Sequence, residues 1–110
     1  MSSLSTHVLD TTHGRPAAGV SLHLLHADGR LILSGVTNAD GRCPELPPLE
    51  PGRYRLIFAV AAYFAHCGIM LPEPPFLDEV AIDFGIADAD AHYHVPLLVS
   101  PFGYSTYRGS

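Results

Sequence analysis

The sequence predicts an all-β fold, an antiparallel β-sandwich with one short helix, and three observations carry that prediction. Ten prolines and ten glycines interrupt the 110 residues at short intervals, leaving pieces the length of strands. Between those interruptions apolar and polar residues alternate more often than they recur at helical spacing. A single stretch, Ala61 to Gly68, suits a helix and ends on a glycine.

The elements follow in order. Ser5 to Leu9 is a short extended run, and Gly14-Arg15-Pro16 closes a loop after it. Val20, Leu22 and Leu24 alternate with Ser21 and His23 as a second strand. Ala27-Asp28-Gly29 signals a hairpin because glycine tolerates positive φ, and Leu31 to Val36 returns from it as the third strand. Thr37 to Gly41 is the next turn and presents Arg42 beside strand ends, before the loop Pro44 to Pro51 prevents regular pairing. Tyr54, Leu56, Phe58 and Val60 share one face of a fourth strand leading into the helix. Val80, Ile82 and Phe84 mark the fifth strand, and Asp88-Ala89-Asp90 turns into a sixth, His92 to Val99. Pro96 removes a ladder donor within that strand, which predicts a local irregularity there. Tyr104 to Tyr107 have high β propensity and pair as a last strand.

Bulk properties narrow the function. With 47% hydrophobic residues and no change of composition along its length, the chain reads as one domain, 1–110. Six basic against eleven acidic residues give a net charge of −5, which argues against nucleic-acid partners, since those rest on clustered Lys and Arg. The N-terminus MSSLSTHVLD has neither a basic nor an apolar targeting region, and no stretch is apolar enough to span a bilayer, so the expected setting is the cytoplasm with no membrane partner. In that reducing setting Cys43 and Cys67 are expected to be packed thiols rather than a disulfide.

Seven histidines are the compositional anomaly, because histidine transfers protons most readily near neutral pH. His13, His26 and His66 fall in or near turns, where a solvated ring is the ordinary explanation, and His23 alternates with core positions and faces out. His92 and His94 share a strand face through their two-residue offset. Together with His7 they have the residue types of a three-histidine zinc site; the plainer alternative is one exposed and one interface histidine. Arg42 offers a planar fork of donors suited to an anionic or carbonyl-rich ligand, or else a surface ion pair with Glu45. Tyr107-Arg108-Gly109-Ser110 bring a ring, a guanidinium and a hydroxyl directly after a strand, able to close a pocket or to fray.

Three segments in order, LSTHVLDTTHGRPA (residues 4–17), TNADGRC (37–43) and HYHVPLLVSPFGYSTYRGS (92–110), resemble the 5-hydroxyisourate hydrolase family, the transthyretin-related proteins. The YRGS ending separates that family from transthyretin, which shares the preceding region and then diverges. The resemblance implies a transthyretin-like sandwich of two four-stranded sheets with a short helix, assembled as a homotetramer, a dimer of dimers around a central channel. It implies hydrolysis of 5-hydroxyisourate to 2-oxo-4-hydroxy-4-carboxy-5-ureidoimidazoline, in urate degradation toward allantoin, with no cofactor and no metal. Carried over by position, the catalytic set is His7, Arg42, His94 and Ser110, and the substrate-binding set is His7, Arg42, Tyr107, Arg108 and Gly109. His92 lies outside both. The alternative within the same fold is a thyroid-hormone carrier of the transthyretin type, without catalysis.

Overall fold

Alternation in the sequence becomes alternation of burial in space. In the computed structural model, which describes residues 1–109, β1 (Ser3–Asp10) buries Leu4, Thr6, Val8 and Asp10 and turns Ser3, Ser5, His7 and Leu9 to the other face. β2 (Arg15–Pro16) pairs with the end of β1, and β7 (His92–Ser100) lies on its other side, followed by β8 (Gly103–Thr106). The second sheet holds β3 (Ser21–His26), β4 (Leu31–Val36), β5 (Gly52–Phe58) and β6 (Val80–Ile86) in the order β4-β3-β5-β6.

The two four-stranded sheets face each other across a core in which Leu22, Leu24, Leu56, Phe58, Leu97 and Val99 are fully buried. Side chains of that size each contribute about 1.5–3 kcal/mol on leaving water. The expected sandwich is therefore present, with one pairing of its own. β1 and β7 run parallel, matching Ser3 with His92 and Ser5 with His94, while the other ladders are antiparallel. Among the described residues no helix is long and apolar enough to cross a membrane.

Several local expectations shift. Arg15 and Pro16, read as loop, form the edge strand β2. Val60, expected on the strand face, instead opens α1 (Val60–His66): Ala59 N–H bonds the Ser21 carbonyl at 2.9 Å and the chain turns there. Val60 is still buried, so the helix keeps the apolar face that the strand began. Gly68 at φ 87° ends the turn after the helix, as its position suggested.

Pro96 sits on an interior strand, opposite His7 of β1, without a shift of register. The irregularity falls on the other side. The β7–β8 ladder stops at Leu97–Thr106 and resumes in the same register at the isolated bridge His94–Gly109, so Pro96 lies in the gap. Thr106 Oγ1 donates to the Pro96 carbonyl at 2.7 Å, holding the strand where the proline has no N–H to offer.

His13 lies in an exposed turn, as expected, but its ring is not idle there. Its Nδ1 lies 2.5 Å from Asp10 Oδ2, and Tyr63 O–H donates to the same oxygen at 2.7 Å. The backbone N–H groups of Thr12 and His13 donate to Asp10 Oδ1. Burial alone would push the Asp10 carboxyl up, but the hydrogen bonds from Tyr63 and His13 outweigh it and hold the group below its ordinary value.

Candidate active site

The site is assembled on the outward face of the first sheet, by the parallel pairing of β1 and β7. The alternation that buries Thr6 and Val95 turns Ser5, His7, His92 and His94 to the opposite side. Thr6 Oγ1 donates to the Val95 carbonyl at 2.6 Å, which ties the two strands together directly behind the histidines.

His94 is held from two sides. Its Nδ1 lies 2.7 Å from Ser5 Oγ, and that hydroxyl also lies 2.9 Å from Nε2 of His92. His92 Nδ1 is in turn 2.6 Å from Ser3 Oγ. On the other side Gly109 N–H donates to the His94 carbonyl at 2.8 Å. Burial, followed by the positive charge of Arg42 and the neighbouring His7 and His92, lowers the His94 pKa below 6.5. Both effects favour the neutral ring, and among the described residues the side-chain hydrogen bond of His94 is made through Nδ1 and not Nε2.

Arg42 reaches this face because its loop is fastened to β1. Val8 N–H donates to the Gly41 carbonyl at 2.8 Å, one residue beyond His7. The turn itself is closed by Asn38, whose side chain accepts from Asp40 N–H at 3.0 Å and Arg42 N–H at 3.1 Å. Gly41 adopts φ 74°, and a Cβ there would overlap the Val8 carbonyl oxygen, so only glycine lets the loop approach this closely. Among the described residues no ion pair includes Arg42; Glu45 is not its partner.

The C-terminal residues divide. Gly109 crosses the His94 ring. Tyr107 is 60% exposed beyond the end of β8. Arg108 turns to the other side of β7, its guanidinium 4.2 Å above the ring of buried Tyr93 and its Nη2 3.4 Å from the His92 carbonyl. Ser110 lies outside the described residues. The structure thus brings His7, Arg42, His94 and Gly109 to one face and places the Arg108 head away from it. Sequence reasoning passed over Ser5 and Ser3; their signal was the two-residue offset from His7, which has meaning only once β1 is known to lie beside β7.

Clefts elsewhere do not coincide with this chemistry. One of about 670 Å3 lies along the ends of β5 and β6, and one of about 300 Å3 takes in Tyr107 and Arg108; neither contains His7, Arg42 or His94. Among the described residues the three ligating groups that converge are Asp10, His13 and Cys67, not the three histidines. The Asp10 oxygens there already accept four hydrogen bonds, so the cluster is accounted for as a support of the fold.

Sandwich topology and an outward face of histidine and arginine define a class, and comparison gives it a family. The HIUase/Transthyretin family model matches residues 4–109, and the chain belongs to that family. It is 51% identical to a 5-hydroxyisourate hydrolase of Pseudomonas aeruginosa, covering 100% of this chain and 93% of that one. Among solved structures it is similar to the 5-hydroxyisourate hydrolase of Klebsiella pneumoniae, with a TM-score of 0.85, 42% identity and 100% of each chain covered. It is also similar to sea bream transthyretin in complex with thyroxine, with a TM-score of 0.84 and 33% identity over 96% of this chain and 93% of that one.

Proposed function

We propose that this chain hydrolyses 5-hydroxyisourate by water attack on a ring carbonyl, with His94 as general base. The observation that carries the reading is the His94 ring, tied through Nδ1 to Ser5, on one face with His7 and Arg42, which with burial favour its neutral form. Water gives a proton to His94 Nε2 as its oxygen bonds the carbonyl carbon. The Arg42 guanidinium stabilises the oxyanion; collapse breaks the ring C–N bond and the proton passes to the leaving nitrogen. His7 positions the water, and Gly109 lets the tail lie against the His94 ring. Tyr107 and Ser110 orient the planar substrate, while Arg108, stacked on Tyr93, anchors the tail. The reaction belongs to urate degradation and yields 2-oxo-4-hydroxy-4-carboxy-5-ureidoimidazoline.

The same reading includes a homotetramer. The site lies on an open sheet face, and water exclusion there requires a second copy opposite it. All four residues of β8 are exposed, leaving an unpaired edge for another chain. Thyroxine carriage, as in the transthyretin relative, is the second reading; the histidines and arginine of this face disfavour an apolar hormone.

The test is the ultraviolet decay of freshly generated 5-hydroxyisourate with and without the protein. His94→Asn should slow it by roughly 10²–10⁴ with the oligomer intact. An unchanged rate would remove His94 from the mechanism, and thyroxine binding without turnover would replace the hydrolase by the carrier.

A further inference from the structure

We propose that Ser5 and His92 are positioning residues that hold His94 in the tautomer with Nδ1 protonated and Nε2 bare, a role that rests on reading His94 as the base. The geometry is a continuous chain: His94 Nδ1 to Ser5 Oγ at 2.7 Å, Ser5 Oγ to His92 Nε2 at 2.9 Å, and His92 Nδ1 to Ser3 Oγ at 2.6 Å. A serine hydroxyl has one proton to donate. When that proton is given to His92 Nε2, Ser5 can only accept from His94, so the proton of a neutral His94 ring must be on Nδ1. The chain then closes consistently, with His92 Nδ1–H donating to Ser3 and the Ser3 hydroxyl, on an exposed residue, facing water.

The opposite polarity runs from Ser3 to His92, from His92 Nε2–H to Ser5, and from Ser5 to His94 Nδ1. It would place the His94 proton on Nε2, where it blocks the only ring nitrogen not engaged by the strand. A charged His92 donates from both nitrogens, which frees the Ser5 proton for His94 Nδ1 and favours that inactive polarity. The state of His92 therefore reaches His94 through Ser5, although His92 itself is exposed and outside the catalytic set. A histidine in water favours the Nε2–H tautomer, so the arrangement has work to do. An orienting partner that selects the tautomer is known to be worth large factors in histidine catalysis.

The test is nitrogen NMR of the full-length protein labelled at histidine, at about pH 8, above the ordinary histidine range. The wild type should show His94 protonated at Nδ1, and Ser5→Ala should move the proton to Nε2. Turnover of Ser5→Ala should fall roughly tenfold to a hundredfold in kcat with KM changed less than about threefold, and Ser5→Thr should restore most of it by keeping the hydroxyl. His92→Ala should move the tautomer and kcat in the same direction. A wild-type ring protonated at Nε2, or a tautomer that Ser5→Ala leaves in place, would overturn the proposal. So would a loss of kcat that Ser5→Thr does not relieve. If His94→Asn instead proves fully active, the hydrolase mechanism fails while the NMR result still decides the tautomer.

Discussion

Gly109 packs against the ring of His94. Its N–H bonds the His94 carbonyl at 2.8 Å, and a Cβ at that position would overlap ring Cδ2 and stand 3.0 Å from Cγ. Backbone approach of this kind is open to glycine alone. Gly109→Ala should therefore displace either the tail or the ring and lower kcat/KM by about tenfold or more, since small misplacements of a base are costly. Because Gly109 lies beyond β8 and outside the buried core, the melting temperature should change little. An active, unshifted Gly109→Ala variant would show that the contact with His94 has no catalytic role.

Gly41→Ala should fail for a related reason at the other side of the site. Positive φ alone costs a non-glycine residue about 1–2 kcal/mol, and the clash with the Val8 carbonyl adds to it. The loop would lift from β1 and take Arg42 with it. Both the melting temperature and kcat/KM should drop, whereas Arg42→Lys should lower kcat/KM and leave stability unchanged, because an ammonium lacks the planar fork.

The acid limb of the rate profile should report His94. Its pKa lies below 6.5 because of burial first and the Arg42 charge second, so the base is active above that pKa and lost as pH falls through it. Arg42→Gln removes the positive neighbour, and the His94 pKa should rise. The acid limb of kcat/KM should then move to higher pH. A limb that stays in place would mean that Arg42 does not act on the titrating group.

Tyr63→Phe should weaken the fold rather than the chemistry. Tyr63 and His13 hold the buried Asp10 carboxyl below its ordinary value of 3.8. A lowered folded-state pKa contributes stability that is present above the unfolded value and lost as pH falls through the folded one. With one donor removed the Asp10 pKa rises, stability at neutral pH falls by about 1–3 kcal/mol, and acid unfolding moves to higher pH. Denaturant titrations at neutral and acid pH check both effects, with turnover of the folded fraction unchanged.

Dialysis against a strong chelator should leave hydrolysis intact. Both nitrogens of His92 and Nδ1 of His94 are engaged by serine hydroxyls, which leaves no shared centre for an ion among His7, His92 and His94. Activity lost on chelation and restored by zinc would return the three histidines to the role of metal ligands.

Much of this was legible along the chain. Two-residue periodicity set which residues of each strand face the core, and the turn glycines marked where strands reverse, because both depend on neighbours within a few positions. The motifs around His7, Arg42 and His94 carried the family. The limits of local reading show at Val60, where a continuing apolar pattern fits strand and helix equally until the Ala59 bond to Ser21 turns the chain. They show again at His13, whose partner Asp10 is buried on β1 and shared with Tyr63 of α1.

What the sequence by itself determined is the sandwich, its strand faces and the family; it also supplied the candidates for the chemistry. Which of them meet was decided only by tertiary structure. The parallel pairing of β1 with β7 sets Ser5 opposite His94 across 89 positions of sequence, and the same fold turns Arg108 toward Tyr93 while bringing Gly109 onto the His94 ring. Periodicity fixes the face a side chain takes, but register between distant strands depends on how the whole core closes.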